Sequence, residues 1–482
     1  MRELQLSSDV RSLASRGCDL HRSRFALLCS AASSPSPAPM CNAAQGDPAA
    51  APAAKETVIF VIPPDRGHFD YTVFIAERLH GRGYAVEYWS PSTAGPNVPA
   101  FASFHPLHEA GDDRFDRFTR AYCTASAASG DTYEESQGNS RERLEENLAA
   151  AFEDPAAALH GLQGTREALI GMKQRVLQKD VALCVYDGVH VYSWMGGFCA
   201  DHGVPSLALC PSQIYVRNPE AQGKFLPSNL TDEPEYSPVR EDLAAVPHPV
   251  LYTLLPDLLE GCEIPEGRRN VGPVLPSDFG VTEAQAERFV AGGLQAWCDA
   301  EVSPIVYVSL GSMIRSGPLA ANIAKRLLQA IAEGPWRVLM AVAPELVEGC
   351  IDSLPPGRAR AEAWVPQSAV LAHPAVQAFV SHCGATSVNE AVLHAVPVIC
   401  VPFFDDQFFN AASAVASGFG VAQLPKHSFT AEAVCSAVRT AVESEGARAS
   451  VLAASERLRG MRGLAEVVAE AEAAIEAAHA VR

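Results

Sequence analysis

Between Trp364 and Gln407 the chain reads WVPQSAVLAHPAVQAFVSHCGATSVNEAVLHAVPVICVPFFDDQ, and that stretch leaves little choice of fold. The apolar runs around AFV and VPVICV are too short for buried helices and rich in strand formers, so they read as strands buried on both faces. Between them a turn of small residues opens the helix TSVNEAVLHA. Strand, turn, helix and strand in that order make a parallel sheet covered by helices. His382, Ser387, Glu390, Asp406 and Gln407 then fall where strands end and helices begin, positions that face the ligand crevice of an open α/β sheet. The orphan N–H groups and dipole of a helix start favour an anion, so the expected ligand carries phosphate.

The same alternation occurs earlier. TVIFVIPP (57–64) is a buried strand, Val73, Phe74 and Leu79 suit a helix ended by Gly81 and Gly83, and YAVEYW is the next strand. That is a β-α-β unit with parallel neighbours and a right-handed crossover. VALCVYD (181–187) and VPSLAL continue the pattern, and it restarts with PIVYVSLGS (304–312), ANIAKRLLQAIAE and WRVLMAV. At 482 residues the chain is too long for one core, which grows to roughly 250–300 residues. The expected architecture is therefore two α/β units with a linker near 262–275 and a ligand cleft between them. The expected division is a leader (1–55), a first domain (56–265), a second domain (266–450) and a C-terminal helix (451–482) packing back on the first. Residues 92–165 and the Pro-rich 211–276 offer few clear periods.

A formal charge of −19 argues against a nucleic-acid surface, because phosphate backbones demand clustered Lys and Arg. No apolar run approaches the roughly 18 residues that cross a bilayer. The 13 cysteines are scattered, without a C-x-x-C pair, and Cys184, Cys210 and Cys400 sit in apolar runs. That usage suits a reducing compartment, the cytoplasm. Residues 1–55 hold Ser, Ala and Pro in excess and five arginines, interrupted by Glu3, Asp9 and Asp19. A disordered leader, a plastid or other organellar transit peptide, and a start at Met40 all stay open. Asp405 and Asp406 lack a nearby His or third carboxylate, so a metal site is not expected.

The 44 residues from Trp364 to Gln407 resemble, without insertion or deletion, the donor-binding box of family 1 UDP-sugar glycosyltransferases of the plant secondary-product type. W-x-P-Q, H-P-A-V, F-V-S-H-C-G, S-x-x-E and P-F-F-x-D-Q-x-x-N are all present, with R-G-H-F (66–69), VGP (271–273) and VYVSLGS in order upstream. The resemblance implies the GT-B fold, two Rossmann-like domains facing each other across a cleft, with the nucleotide sugar on the second. It implies that Trp364 stacks the uracil and that main-chain groups of Val365 and Gln367 read the base edge. His382, Gly384, Thr386, Ser387 and Ser312 would hold the diphosphate, Ala385 would lie in the donor site near the sugar, Glu390 would hold the ribose, and Asp406 with Gln407 the hexose. Gln407 resembles the residue of glucose users. His68 matches the family's catalytic base and Asp187 the acid that orients it.

Read without the resemblance, several of these residues have plainer explanations. Trp364 suits a core aromatic, Ser387-x-x-Glu390 a capping box, His68 a helix start and Asp187 an N-cap. His190 and His202 read as surface or packing residues. The chain also departs from the family where Ala385-Thr386-Ser387 replaces the usual Trp-Asn-Ser, which loosens the choice of sugar.

The implied function is an inverting transfer of a hexose, glucose by preference, from UDP-sugar to a hydroxyl of a small lipophilic acceptor. No cofactor or metal beyond the UDP-sugar co-substrate is expected, and neither nucleic acid nor a stable membrane insertion; the expected state is a monomer. The acceptor pocket is expected around Phe69, Tyr71, Trp194 and Phe198. One alternative is a sterol or lipid glycosyltransferase at a membrane surface, which would want a basic or amphipathic docking face. Another is a non-catalytic nucleotide-sugar binder, which has no use for a His68–Asp187 pair. A GT-B isomerase such as an N-acetylglucosamine epimerase shares the fold without the box.

Overall fold

Among the described residues thirteen strands pair in parallel, in two separate sheets. The computed structural model describes residues 56–481 apart from 139, 155–161, 190–191, 214–215, 217–248, 277–279 and 315–316. The leader and His190 lie outside the described residues.

The first sheet contains β1 (Thr57–Val61), β2 (Ala85–Ser90), β3 (Ser103–Pro106), β4 (Val181–Asp187), β5 (Ser206–Cys210), β6 (Val250–Tyr252) and β7 (Arg268–Asn270), in the order 3-2-1-4-5-6-7. The second contains β8 (Ile305–Ser309), β9 (Arg337–Ala341), β10 (Ala359–Glu362), β11 (Val376–Ser381), β12 (Val398–Cys400) and β13 (Gly420–Gln423), in the order 10-9-8-11-12-13. The central strands β1, β4, β8 and β12 are buried along their whole length, as continuous apolar runs require when helices cover both faces. Strand order reverses between β1 and β4 and again between β8 and β11. The register sets Val61 beside Tyr186 and Ser309 beside Ser381. Each sheet thus opens a crevice at its switch point, beyond the carboxyl ends of its strands.

The strands that sequence periodicity does not reveal are β3, β6, β7, β10 and β13. Each has only three or four residues and lies at or near a sheet margin. A margin strand is covered less than a central one, so SFHP, RRN and ARAE carry no apolar alternation.

Both domain boundaries lie later than expected. β7 pairs with β6 in the first sheet, so the first domain extends past residue 265. Helix Glu445–Arg459 stays with the second domain, where Ser455 Oγ and Arg459 donate to the Leu393 carbonyl at 3.0 and 2.7 Å. The crossing back falls at Gly460, and it is the helix Gly463–Val481 that packs on the first sheet. Val467, Val468, Ala471 and Ile475 join the core formed by β1, β4 and the helix Arg66–Gly81. Its rim is held by Arg82 to Glu472 and Arg269 to Glu466, exposed pairs worth about 0–1 kcal/mol each. Docking of this helix therefore rests on apolar burial. Ala471→Asp, placing a carboxylate at a fully buried position, is expected to cost about 3 kcal/mol or more. The thermal midpoint should fall by ~5 °C or more, whereas Glu466→Ala should move it by less than about 2 °C.

Candidate active site

Two helix starts face each other across the cleft. Helix Arg66–Gly81 follows β1, and helix Ala385–Leu393 follows β11. Thr386 Oγ1 lies 3.5 Å from the Gly67 carbonyl oxygen, so the two N-termini meet. Each presents unpaired N–H groups and the positive end of a dipole.

On the second domain, His382 occupies a slot between glycines. A Cβ on Gly384 would come within 2.6 Å of His382 Nε2, and one on Gly311, whose φ is +83°, within 2.7 Å. Burial pulls the His382 pKa down to about 4, so the ring is neutral at physiological pH. Its Nδ1 is buried and meets no hydrogen-bond partner among the described residues, and such an orphan is costly unless a ligand answers it. Ser312 is exposed on the turn after β8, Thr386 is exposed, and Ala385 and Val365 are buried.

Helix Ala385–Leu393 begins at Gly384 with no side-chain cap. Ser387 therefore lies inside the first turn and the capping box does not form. Gln367 organises the pair instead: its Nε2 donates to Glu390 Oε2 at 2.6 Å and Ser387 Oγ at 3.0 Å, while its Oε1 accepts from Tyr307 at 3.0 Å. Burial pushes the Glu390 carboxyl up to about 7, against the Gln367 hydrogen bond and with Asp70 across the cleft adding to the push. Trp364 is 37% exposed, so it is not a core aromatic.

At the other end of the crevice, Gln407 turns its Oε1 inward to accept from the amide of Phe403 at 2.9 Å. Asp406 accepts from Asn410 at 3.1 Å, and burial raises its pKa. Cys383 (φ 65°) and Asp405 (φ 49°) hold left-handed backbone at the ends of the two strands' loops, strain that persists only where surroundings impose it. The fully buried Asn410 joins these loops: it donates to the Cys383 carbonyl at 2.9 Å and to Asp406, and accepts from Gln213 of the first domain.

The first domain supplies the His–Asp pair. His68, third in its helix, donates from Nδ1 to Asp187 Oδ2 at 2.7 Å, and Asp187 Oδ1 accepts from the Val189 amide at 2.9 Å. A carboxylate accepts only, so Nδ1 carries the proton and Nε2 keeps its lone pair. Asp187 is wholly buried and His68 16% exposed. Burial lowers the His68 pKa, but Asp187, with Asp65 and Asp406 as further charged neighbours, outweighs it and the pKa is raised. The next described helix starts at Met195, with Trp194 at the N-cap position and no side-chain cap, so Asp187 is not its N-cap.

Of the aromatics expected around the acceptor, Phe69, Tyr71 and Trp194 are buried and Phe198 is half-buried. Phe69 and Tyr71 are buried in the core of the first domain, Phe69 against Tyr88 at 5.1 Å. Trp194 packs on Phe198, with Lys173 over both rings. Even spacing along a helix does not say which face meets the sheet. His202 is exposed and bonds the Phe198 carbonyl. The sequence assigns no role to Asp65, Gln213 or Tyr122, and contains Asn410 only as the last residue of P-F-F-x-D-Q-x-x-N. Asp65 shares the DRGHF segment with His68, and burial raises its pKa to about 6. Tyr122 donates to Asp405 across the cleft at 3.1 Å.

Residues 273–459 match the family described as UDP-glucoronosyl and UDP-glucosyl transferase. Anthocyanidin 3-O-glucosyltransferase 1 of Fragaria ananassa is 38% identical over 152 residues, 30% of this chain and 32% of that protein. UDP-glycosyltransferase stmC of Aspergillus ustus is 30% identical over 207 residues, 38% of this chain and 37% of that protein. The chain thus spans about a third of the length of the curated relatives it matches. CalG4, the calicheamicin glycosyltransferase, superposes with a TM-score of 0.60 at 20% identity, over 88% of this chain and 99% of that one. Medicago truncatula UGT71G1, solved with UDP-glucose, gives 0.56 at 16% identity, over 87% and 98%. At these identities the likeness establishes the fold, which is GT-B.

The His68–Asp187 geometry is checked by histidine-selective NMR titration. The His68 pKa should lie above histidine's ordinary value of about 6.5. In Asp187→Asn it should drop below it, since burial then acts with less opposition.

Proposed function

We propose that this chain, whose residues 273–459 match the UDP-glucoronosyl and UDP-glucosyl transferase family, is an inverting UDP-sugar-dependent glycosyltransferase that glycosylates a hydroxyl of a small lipophilic acceptor. The observation that carries the reading is the placement of the His68–Asp187 pair opposite an anion site made by His382 and a helix N-terminus. His68 Nε2 takes the acceptor's proton as its oxygen attacks the anomeric carbon from the face opposite UDP. Asp187 stabilises the imidazolium that forms. The neutral His382 and the start of helix Ala385–Leu393 stabilise the departing diphosphate, and the reaction proceeds without a metal. Trp364 holds the uracil, Glu390 the ribose, and Asp406 with Gln407 the sugar. Glucose is favoured by Gln407 and by the names of relatives such as the strawberry anthocyanidin glucosyltransferase.

The test is calorimetric titration with UDP-glucose, UDP-N-acetylglucosamine and UDP, with and without EDTA. Micromolar UDP binding indifferent to EDTA, with UDP-glucose preferred, is expected; no uridine-nucleotide binding refutes the reading. In His68→Ala, transfer should be lost while UDP affinity stays within about threefold. The base must be neutral to act, so kcat/KM should fall on the acid side, with an apparent pKa above about 6.5.

Gly384→Ala separates the anion site from the fold. The Gly384 backbone (φ −59°, ψ 140°) suits alanine, so the clash with His382 is the main effect. UDP affinity should fall about tenfold or more, ~1.4 kcal/mol, with the thermal midpoint changed by only ~2–4 °C.

A further inference from the structure

The Trp364 ring has company from both domains. Arg288 Cζ, on helix Glu283–Ala291, lies 5.2 Å from its centroid, and Arg66 Cζ lies 5.5 Å away. Arg288 belongs with the second domain, where its helix packs on helix Gln367–Ala372, and Trp364 lies just before that helix. Arg66 does not belong there: it is the first residue of helix Arg66–Gly81, which follows β1, and it stands two residues before His68. A cation from the first domain therefore reaches over the cleft to the aromatic face that the reading above gives to uracil.

Arg66 is held loosely. Asp70, one turn along, is 3.6 Å away, with the two side chains 43% and 45% exposed. An ion pair so exposed contributes about 0–1 kcal/mol and yields easily. A planar base lying on Trp364 needs roughly 7 Å between the indole and whatever closes its other face, two contacts of about 3.5 Å. From 5.5 Å the guanidinium has about 1.5 Å to retreat, within reach of an exposed arginine rotamer. A guanidinium is flat, always charged and weakly hydrated, and it stacks on aromatic faces as a lysine ammonium does not.

We propose that Arg66 contacts the nucleotide, closing the second face of the uracil so that the base is held between Trp364 of one domain and Arg66 of the other. The base then positions the helix start that also carries His68. The Gly67–Thr386 approach lies between these two residues in sequence, so donor occupancy at the base end acts on the same turn as the catalytic end.

This inference rests on the UDP-sugar reading, and uridine separates the two, because it offers base and ribose without phosphate. Arg66→Ala, Arg66→Lys and the parent chain are titrated with uridine and with UDP, with thermal midpoints as the folding check. Arg66→Ala should weaken uridine and UDP by a similar factor, about fivefold or more. Arg66→Lys should recover only part of it, and KM for UDP-glucose should rise more than kcat falls. Unchanged uridine affinity with weakened UDP would assign Arg66 to the phosphates and overturn the clamp. Tighter binding in Arg66→Ala would overturn it too, by making Arg66 a plug over Trp364. A parent chain that binds neither ligand refutes the UDP-sugar reading itself, and the clamp with it.

Discussion

The side chain of Asn410 is the joint on which the site depends. It is fully buried, and each of its polar atoms is used: the amide nitrogen donates to the Cys383 carbonyl and to Asp406, and the oxygen accepts from Gln213. Those partners come from the loop after β11, the helix after β12 and the first domain. Cys383 and the neighbouring Asp405 hold left-handed backbone that an L residue adopts at a cost of about 1–3 kcal/mol. Without a buried amide to tie them, the loops would relax, and a polar group left unpaired there would cost about 1–3 kcal/mol more.

The electrostatics of the cleft divide along the same line. The second domain contributes a neutral His382 and a helix N-terminus, whose dipole makes the local field positive without a charged side chain. The first domain contributes carboxylates, Asp65 and Asp187, around His68, and Asp406 adds a third from across the cleft. Their summed field keeps the imidazolium favourable despite burial, as a base requires when it takes up a proton. The two walls of the cleft therefore carry opposite fields, positive at the helix start beside His382 and negative around His68.

Contacts between the domains run along the whole cleft. Arg66 meets Trp364 at one end, Thr386 approaches Gly67 in the middle, and Tyr122 and Gln213 bond Asp405 and Asn410 at the other. Asp131 accepts from the His427 amide and the Ser428 hydroxyl beyond them, and Tyr133 packs on Phe409. The C-terminal helix adds apolar docking to the first domain from a chain segment that begins in the second. The two domains are thus joined by several polar contacts and one apolar dock.

What the sequence by itself determined follows from local physics. Continuous apolar runs such as TVIFV, VALCVYD and IVYVS must be central strands, and their alternation with helices must make two parallel sheets. The polar residues after those runs, His68, Asp187, His382 and Asp406, had to face the crevices, because a strand's carboxyl end points there. The tertiary structure decided the rest. Glu390 could be a cap or a ligand group until Gly384 proved to start the helix and Gln367, 23 residues away, to hold the carboxylate. Phe69 and Tyr71 proved to be buried in a core that also takes in the C-terminal helix, some 400 residues later. Arg66 showed no role until Trp364 met it across the cleft. These outcomes depend on contacts between distant parts of the chain, and the periodicity of a segment carries no record of which partner its polar face will meet.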